Sequence, residues 1–435
     1  MGEVIFWTSL LIYGAIALID LRWAVYLLFA LLPAFLLRTQ LFGIPTTWLE
    51  LAIYLAVVIF VACKLKQKKL KQTLVSFYQN YKHPIIAMLL WLGAALLATI
   101  TSPNLARSAG ALKGWWIDPI LLIIITALLT KTNRHLQQLI FALLVGSALI
   151  SIYGLGEIVL GAGLRSDKLL NSVFVSANYV SMLIVPITIF GFGYFLSLPQ
   201  GKQKTAVALI LGLNFIALIL TQSIGGFLGM ALGALTLILF TPQTKKRRQA
   251  IKIYLLLSFL AAALLFTTPK IQRLIHSPET SSLATRSQIW QTAIVLIKEH
   301  PLKGIGLGNF ENPYRQTVAR LFKAPLEWEV VKAHNLYLNL WLEMGLLGVA
   351  CFFILIFYFG KGLKKALTNT SPSSKIWWQL AGSSAALVSI LTHGLVDTPY
   401  FKNDLSIVFL LVFIMPFIVT NLFPTLTKSD KNDII

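Results

Sequence analysis

Apolar runs of about 16 to 24 residues recur from one end of this chain to the other, each long enough, or nearly so, to cross a hydrocarbon core about 30 Å thick. Few alternatives survive that pattern. Of 435 residues, 57% are apolar and only 12% charged, where a soluble domain carries roughly twice that charged share. Membrane barrel strands would be short and alternating, and these runs are neither. The fold class read from the sequence is therefore all-α, a polytopic membrane helical bundle.

Basic clusters punctuate the runs. Lys64, Lys66, Lys68, Lys69 and Lys71 form one, and Lys131, Arg134 and His135 another. Lys202 and Lys204, then Lys245 to Arg248, then Lys361, Lys364 and Lys365 follow, and the tail adds Lys428 and Lys431. Cytoplasmic loops carry the excess of Lys and Arg, so all of these should face inward. Spans are then expected at 48–63, 84–101, 115–131, 136–160, 177–198, 205–222, 224–241, 251–268, 336–360, 376–393 and 405–423. Ahead of them, Val4–Ile19 and Trp23–Leu37 are short, split by Asp20-Leu21-Arg22, and read as two helices or a partly interfacial hairpin. The total comes to about 12 or 13 transmembrane helices at about 20 residues each. Alternation places four segments outside, of which 269–333 is by far the longest. The expected organisation is residues 1–268 as N-terminal transmembrane helices, 269–335 as an extracytoplasmic loop with a cap, and 336–435 as C-terminal helices and a cytoplasmic tail. No cleavable signal peptide is evident, because the N-terminus lacks a basic n-region and 1–19 a small-residue cleavage site. A multi-pass membrane protein is expected.

The net charge of +21 invites a nucleic-acid reading, but the cations cluster between apolar runs, so topology and anionic ligands or membrane lipids account for it better. Cys63 and Cys351 lie in or at the end of apolar runs, which argues against a disulfide framework. There is no Walker A pattern, no HExxH and no Asp-x-Asp. No cofactor and no metal are expected. "GIGLGNF" has close glycines, but no strand precedes it to make a dinucleotide site.

Some polar residues escape the topological explanation. Arg107 and Lys113 fall in the first long outer loop, and Arg165 and Lys168 in the next. Asn178 opens the following helix. Arg286 precedes an amphipathic stretch, Ser287–Glu299, and His334 closes the long loop; His393 and Asp397 sit near the last outer loop. Outer cations run against the positive-inside trend. They either snorkel to the interface or grip an anionic substrate such as a diphosphate.

The stretch "VVKAHNLYLNLWLEMGLLG", Val330 to Gly348, is the least ordinary. It puts a histidine at the mouth of an apolar helix and spaces Asn335, Asn339 and Glu343 at i, i+4, i+8. They form one polar stripe, with Glu343 about 12 Å below the mouth at 1.5 Å per residue. An ionisable group at that depth faces the bundle interior or a wet cavity, or else braces neighbouring helices by hydrogen bonds. His334, at the positive end of a helix, is expected to have its pKa depressed below about 6.5 and so to serve as a neutral proton acceptor; capping alone is the plainer alternative.

"RSQIWQTAIVLIKEHPLKGIGLGNFENPY", followed after a gap by "HNLYLNLWLEMGLLG", closely resembles the signature of the O-antigen ligase/polymerase (Wzy-C) family. The matching residues are Arg286, Trp290, Pro301, Gly304, Gly306, Asn309, Phe310, His334, Asn335, Glu343, Gly345 and Gly348. "VFVSANYVSMLIVP" with Asn178 and "HGLVDTPYFKND" with His393 and Asp397 resemble further stretches of it. The sequence departs at "LTQSIGGFLG", where Ile224 stands in place of an arginine common in the family. If that arginine helps bind a pyrophosphate, Arg107, Lys113 or Arg165 would have to replace it.

The resemblance implies a membrane-embedded, metal-independent glycosyltransferase of the C-type class. Its donor would be a polyprenyl diphosphate-linked glycan and its acceptor a hydroxyl on a glycan, lipid or protein, at the outer face of a bacterial cytoplasmic membrane. In that reading His334 and Arg286 are catalytic. Arg107, Lys113, Arg165, Asn178, Asn335, Asn339, Glu343, His393 and Asp397 bind or orient substrate. The glycines at 304, 306 and 308 would give the covering loop a bendable edge. Two other classes stay compatible with the residues: a transporter of an anionic or lipid-linked glycan, and a non-catalytic scaffold of envelope assembly.

Overall fold

The computed structural model describes residues 2–161, 169–242, 281–372 and 374–423, with isolated positions 245, 249, 251, 252, 272, 276 and 279. Residues 253–268 of the expected span at 251–268, Arg165 with Lys168, and the lysines of the tail lie outside the described residues.

The described residues are mostly helical. Helices α1 (Gly2–Ile19), α2 (Leu21–Ala30), α3 (Trp48–Lys66), α4 (Leu70–Ile100), α5 (Leu105–Leu112), α6 (Asp118–Leu129), α7 (Asn133–Val159), α8 (Ala177–Ser197), α9 (Lys202–Thr221) and α10 (Ile224–Phe240) come first. Further along the chain come α11 (Ser282–Glu299), α12 (Glu311–Leu321), α13 (Leu336–Thr368), α14 (Lys375–His393) and α15 (Asn403–Leu422). Among the described residues nine spans are long and apolar enough to cross a membrane, one of them α5 and α6 taken as a single stretch; α2 and α10 are shorter apolar helices. The polytopic helical architecture read from the sequence is the one observed.

Local chemistry sets the boundaries. Asp20 caps α2 by accepting from the Arg22 amide, and so splits the N-terminal apolar stretch into two helices. Thr47 and Glu50 form a reciprocal capping box at α3. Between α2 and α3 the chain makes a short hairpin, Arg38–Leu41 against Ile44–Thr47, that the sequence reading did not anticipate. Its two-residue turn, Phe42-Gly43, has positive φ at both positions (51° and 79°), as a type I′ turn requires. Helix α4 starts 14 residues before the expected span and bends at Tyr81, ahead of Pro84.

α8 and α15 are buried around nearly their whole length and form the centre of the bundle. Gly193 on α8 meets Gly382 on α14 so closely that a Cβ would lie 2.5 Å from the Gly382 Cα; small residues allow such contact where lipid supplies no hydrophobic drive. Asn214 on α9 is wholly buried but satisfied, by Ser147 and Ser151 on α7 and Thr188 on α8. At one end of the bundle α11 and α12 make a cap with its own small core, including Ile289, Phe310, Tyr314 and Val318, closed by Leu342 of α13. Beneath it Trp91, Trp116 and Tyr400 interlock, the Tyr400 hydroxyl accepting from Trp91 (2.8 Å) and donating to the Trp115 carbonyl (2.9 Å). At the opposite end Gln379 reaches Asn133 and Trp377 reaches the Phe240 carbonyl.

Candidate active site at the mouth of helix α13

Asn335 caps α13, its Oδ1 accepting from the Tyr337 and Leu338 amides, both at 3.0 Å. Its Nδ2 donates to the Leu395 carbonyl (2.8 Å), and the Leu336 amide donates to the Gly394 carbonyl (2.7 Å). The Tyr337 hydroxyl adds a bond to the Leu391 carbonyl. The start of α13 is thus tied to the turn that follows α14, which brings Asp397 beside His334.

His334 takes a left-handed backbone, φ 46°, a conformation uncommon outside glycine and found at constrained sites. Trp290 holds it there by donating from Nε1 to its carbonyl (3.3 Å). The His334 Nδ1 lies 3.2 Å from Asp397 Oδ1, and Arg286 Nη2 3.7 Å from Asp397 Oδ2. Arg286 and Trp290 are one turn apart on α11, so one helix face serves both contacts. Asp397 is buried, while the His334 side chain keeps 36% of its surface exposed. An ionised carboxylate only accepts, so Nδ1 carries the proton and Nε2 of a neutral His334 is left as the acceptor.

Burial disfavours the charged imidazole, but the hydrogen bond and charge of Asp397 outweigh it, and the His334 pKa is raised. This corrects the expectation of a depressed value: the carboxylate, and not the helix end, governs the ring. Burial pushes Asp397 upward, yet its bond to His334 and the nearby His334, His393 and Arg286 charges bring it down to about 2. His393 is buried behind this group. Its Nδ1 has no hydrogen-bond partner among the described residues, and its ring lies against Gly225, where a Cβ would come 2.5 Å from Cδ2. Ile224, the departure noted in the sequence, begins α10 beside that contact.

The rest of the polar stripe braces the site from below. Glu343, fully buried, accepts from Lys332 Nζ (2.7 Å), Asn339 Nδ2 (3.1 Å) and the Gly308 amide (3.0 Å). Asn339 Oδ1 accepts from the Ala333 amide (3.1 Å). Both therefore act on the segment just before His334, and neither touches its ring.

Lys332 escaped the sequence reading. It lies between the Trp115 ring (4.1 Å) and the Phe401 ring (4.7 Å), on the Glu343 carboxylate. Burial lowers its pKa, against the opposing pull of Glu343. Its signal was present, as an outer-loop cation two residues ahead of His334.

The glycine motif is a lock. α13 breaks at Gly345 (φ 64°, ψ −167°), and the turn 301–306 fits into the break. Ile305 and Gly306 amides donate to the Leu342 and Glu343 carbonyls, while the Leu346 amide and Trp341 Nε1 donate to the Pro301 carbonyl. A Cβ on Gly345 would lie 2.0 Å from the Leu302 oxygen, and one on Gly304 2.6 Å from the Leu342 oxygen. At Gly304 and Gly345 the backbones approach too closely for any side chain.

Arg107 and Lys113 stand apart from the His334 group. Arg107 pairs with Glu311 at the start of α12 (3.1 Å), and Lys113 with Glu50 (2.9 Å) and the Pro45 carbonyl. Asn178 is half-buried in the first turn of α8. Its neighbour Tyr179 donates to the buried Asp404, a pair the sequence reading also passed over. Among the described residues no three His, Cys, Asp or Glu side chains gather to ligate a metal ion.

An uncharacterised protein of Haemophilus influenzae is 26% identical to this chain over 175 residues, which cover 36% of this chain and 43% of that protein. Asp397 and His393 lie beyond the stretch matched by a family model. Residues 207–353, which carry Arg286, Trp290, the 301–308 turn, His334 and Glu343, match the model of the O-antigen ligase (Wzy_C) family, so the resemblance drawn from the motifs holds over the segment that builds the His334 site.

Proposed function

We propose that the protein is a membrane glycosyltransferase that moves a glycan from a polyprenyl diphosphate carrier to an acceptor hydroxyl at the outer face of the cytoplasmic membrane. The O-antigen ligase match over 207–353 supports the reaction class. One observation carries the chemistry: a partly exposed His334 with its Nδ1 on a buried Asp397, whose other oxygen faces Arg286. In this reading Nε2 takes the proton of the acceptor hydroxyl. The acceptor oxygen bonds to the anomeric carbon as the bond from that carbon to the phosphate oxygen breaks. The diphosphate leaves with the electron pair. Arg286 has five N–H donors and engages Asp397 through one nitrogen, so others remain for the developing charge. Arg107, and Arg165 by its place in the chain, are the further cations proposed for the diphosphate. Charge stabilisation by arginine makes the proposed step metal-independent.

The test is transfer in liposomes or detergent from extracted polyprenyl-diphosphate glycans, with wild type beside His334→Ala. The variant is expected to lose about 10²–10⁴-fold in rate with an unchanged melting profile. Wild-type rates in the variant would remove His334 from the chemistry. The product mass separates a polymerase, which lengthens a lipid-linked chain, from a ligase, which moves a finished chain to another acceptor.

A further inference from the structure

At the end of the bundle opposite His334, helices α4, α13 and α15 part around a pocket of about 290 Å³. Its origin is a proline. Pro84 has no N–H, so the Asn80 carbonyl four residues earlier loses its helical donor, and α4 leaves helical geometry at Tyr81 (φ −119°, ψ 22°). The orphaned carbonyl is satisfied from outside the helix, by Asn421 Nδ2 on α15 at 3.2 Å. Across the gap, Gly362 on α13 meets the Phe417 ring, where a Cβ would lie 2.7 Å from a ring atom. Both line the pocket, together with Lys361 and Lys365, one turn apart on α13.

The lining is divided in a telling way. Lys361 and Lys365 supply cations, and His83 and Asn80 further polar groups; Tyr358, Phe417 and Pro84 supply an apolar wall. Among the described residues no carboxylate lines it, and neither lysine has an ion-pair partner. The His83 ring lies 5.7 Å from that of Tyr358. Two uncompensated lysines suit a phosphate. A free phosphate has no use for the apolar wall, whereas a lipid headgroup with its glycerol and first methylenes fits both halves. The basic segments at this end, Lys64 to Lys71 and Lys361 to Lys365, mark it as cytoplasmic, the leaflet where basic pockets between transmembrane helices take anionic headgroups.

We propose that the pocket between α4, α13 and α15 binds the headgroup phosphate of an anionic phospholipid of the cytoplasmic leaflet. The site is independent of the transfer chemistry. The experiment is thermal unfolding of the full-length protein in phosphatidylcholine nanodiscs with increasing phosphatidylglycerol, with native mass spectrometry to count retained lipid. Phosphatidylglycerol should raise the melting temperature and stay bound. Lys361→Gln with Lys365→Gln should weaken the apparent affinity about five-fold per lysine, roughly 25-fold together, with the melt in pure phosphatidylcholine unchanged. If the double glutamine variant melts lower even there, Lys361→Arg with Lys365→Arg decides: it keeps the phosphatidylglycerol response if charge binds the lipid. An equal response in the glutamine variant, loss of it in the arginine variant, or a shift reproduced by inorganic phosphate alone would overturn the assignment.

Discussion

Two forces act on the His334 imidazole. Burial disfavours its charged form, and Asp397 favours it; the carboxylate wins, so the pKa lies above the ordinary histidine value. As pH falls through that raised value the ring protonates and can no longer accept a proton. The acid limb of the rate profile is therefore expected above about 6.5. Asp397→Asn leaves burial and Arg286, which both lower the pKa, so the limb should move to lower pH. The maximal rate should fall by about 10²-fold or more, because the tautomer and ring orientation are lost as well. A pH–rate series on both proteins checks this; an unmoved limb would mean that Asp397 does not govern His334. The same pair ties stability to pH. Asp397 is held down at about 2, so its contribution is complete above the ordinary carboxyl value of about 4 and fades as pH drops through about 2, while that of His334 fades as pH rises through its raised value. His334 stood out in the sequence because a histidine at the mouth of an apolar run is rare. Its dependence on Asp397 was not legible, because that carboxylate is 63 residues away.

At the scale of elements, the site depends on a helix that is deliberately interrupted. The break at Gly345 frees backbone groups of α13 that the 301–306 turn then satisfies. Glu343 secures the same junction, joining the turn through Gly308 and the segment before His334 through Lys332. Breaking a buried ion pair from one side is far more costly than replacing both partners. Glu343→Gln should therefore destabilise the protein by about 3–5 kcal/mol, and Glu343→Gln with Lys332→Met should recover much of that loss. Melting curves of the two variants in one detergent test it; equal losses would show that the pair is not coupled. The spacing of Asn335, Asn339 and Glu343 did announce a polar stripe. That the stripe braces the loop before His334 follows only from what α13 faces.

For the whole molecule, the ends of the helices divide into two sets. The cap, Arg107 and the turn after α14 gather at the His334 end, while the starts of α7 and α14 and the end of α10 meet at the other. With the basic loops inside, a cysteine at exposed Lys323 should react with an impermeant thiol reagent in intact cells or spheroplasts. One at exposed Lys202 should react only after permeabilisation, both in a Cys63→Ser background. The reverse labelling would invert the topology and put His334 on the cytoplasmic side. The sequence alone determined that this is a helical membrane bundle, where most spans start and stop, and which histidine and arginine stand apart. Those are local properties, governed by the thickness of a bilayer, by capping chemistry and by charge. The tertiary structure alone decided that Asp397 holds His334, that Lys332 is buried on Glu343, and that the glycine turn locks a broken helix. Each joins segments far apart in the chain, and helix packing, which no local pattern encodes, chooses which of them meet.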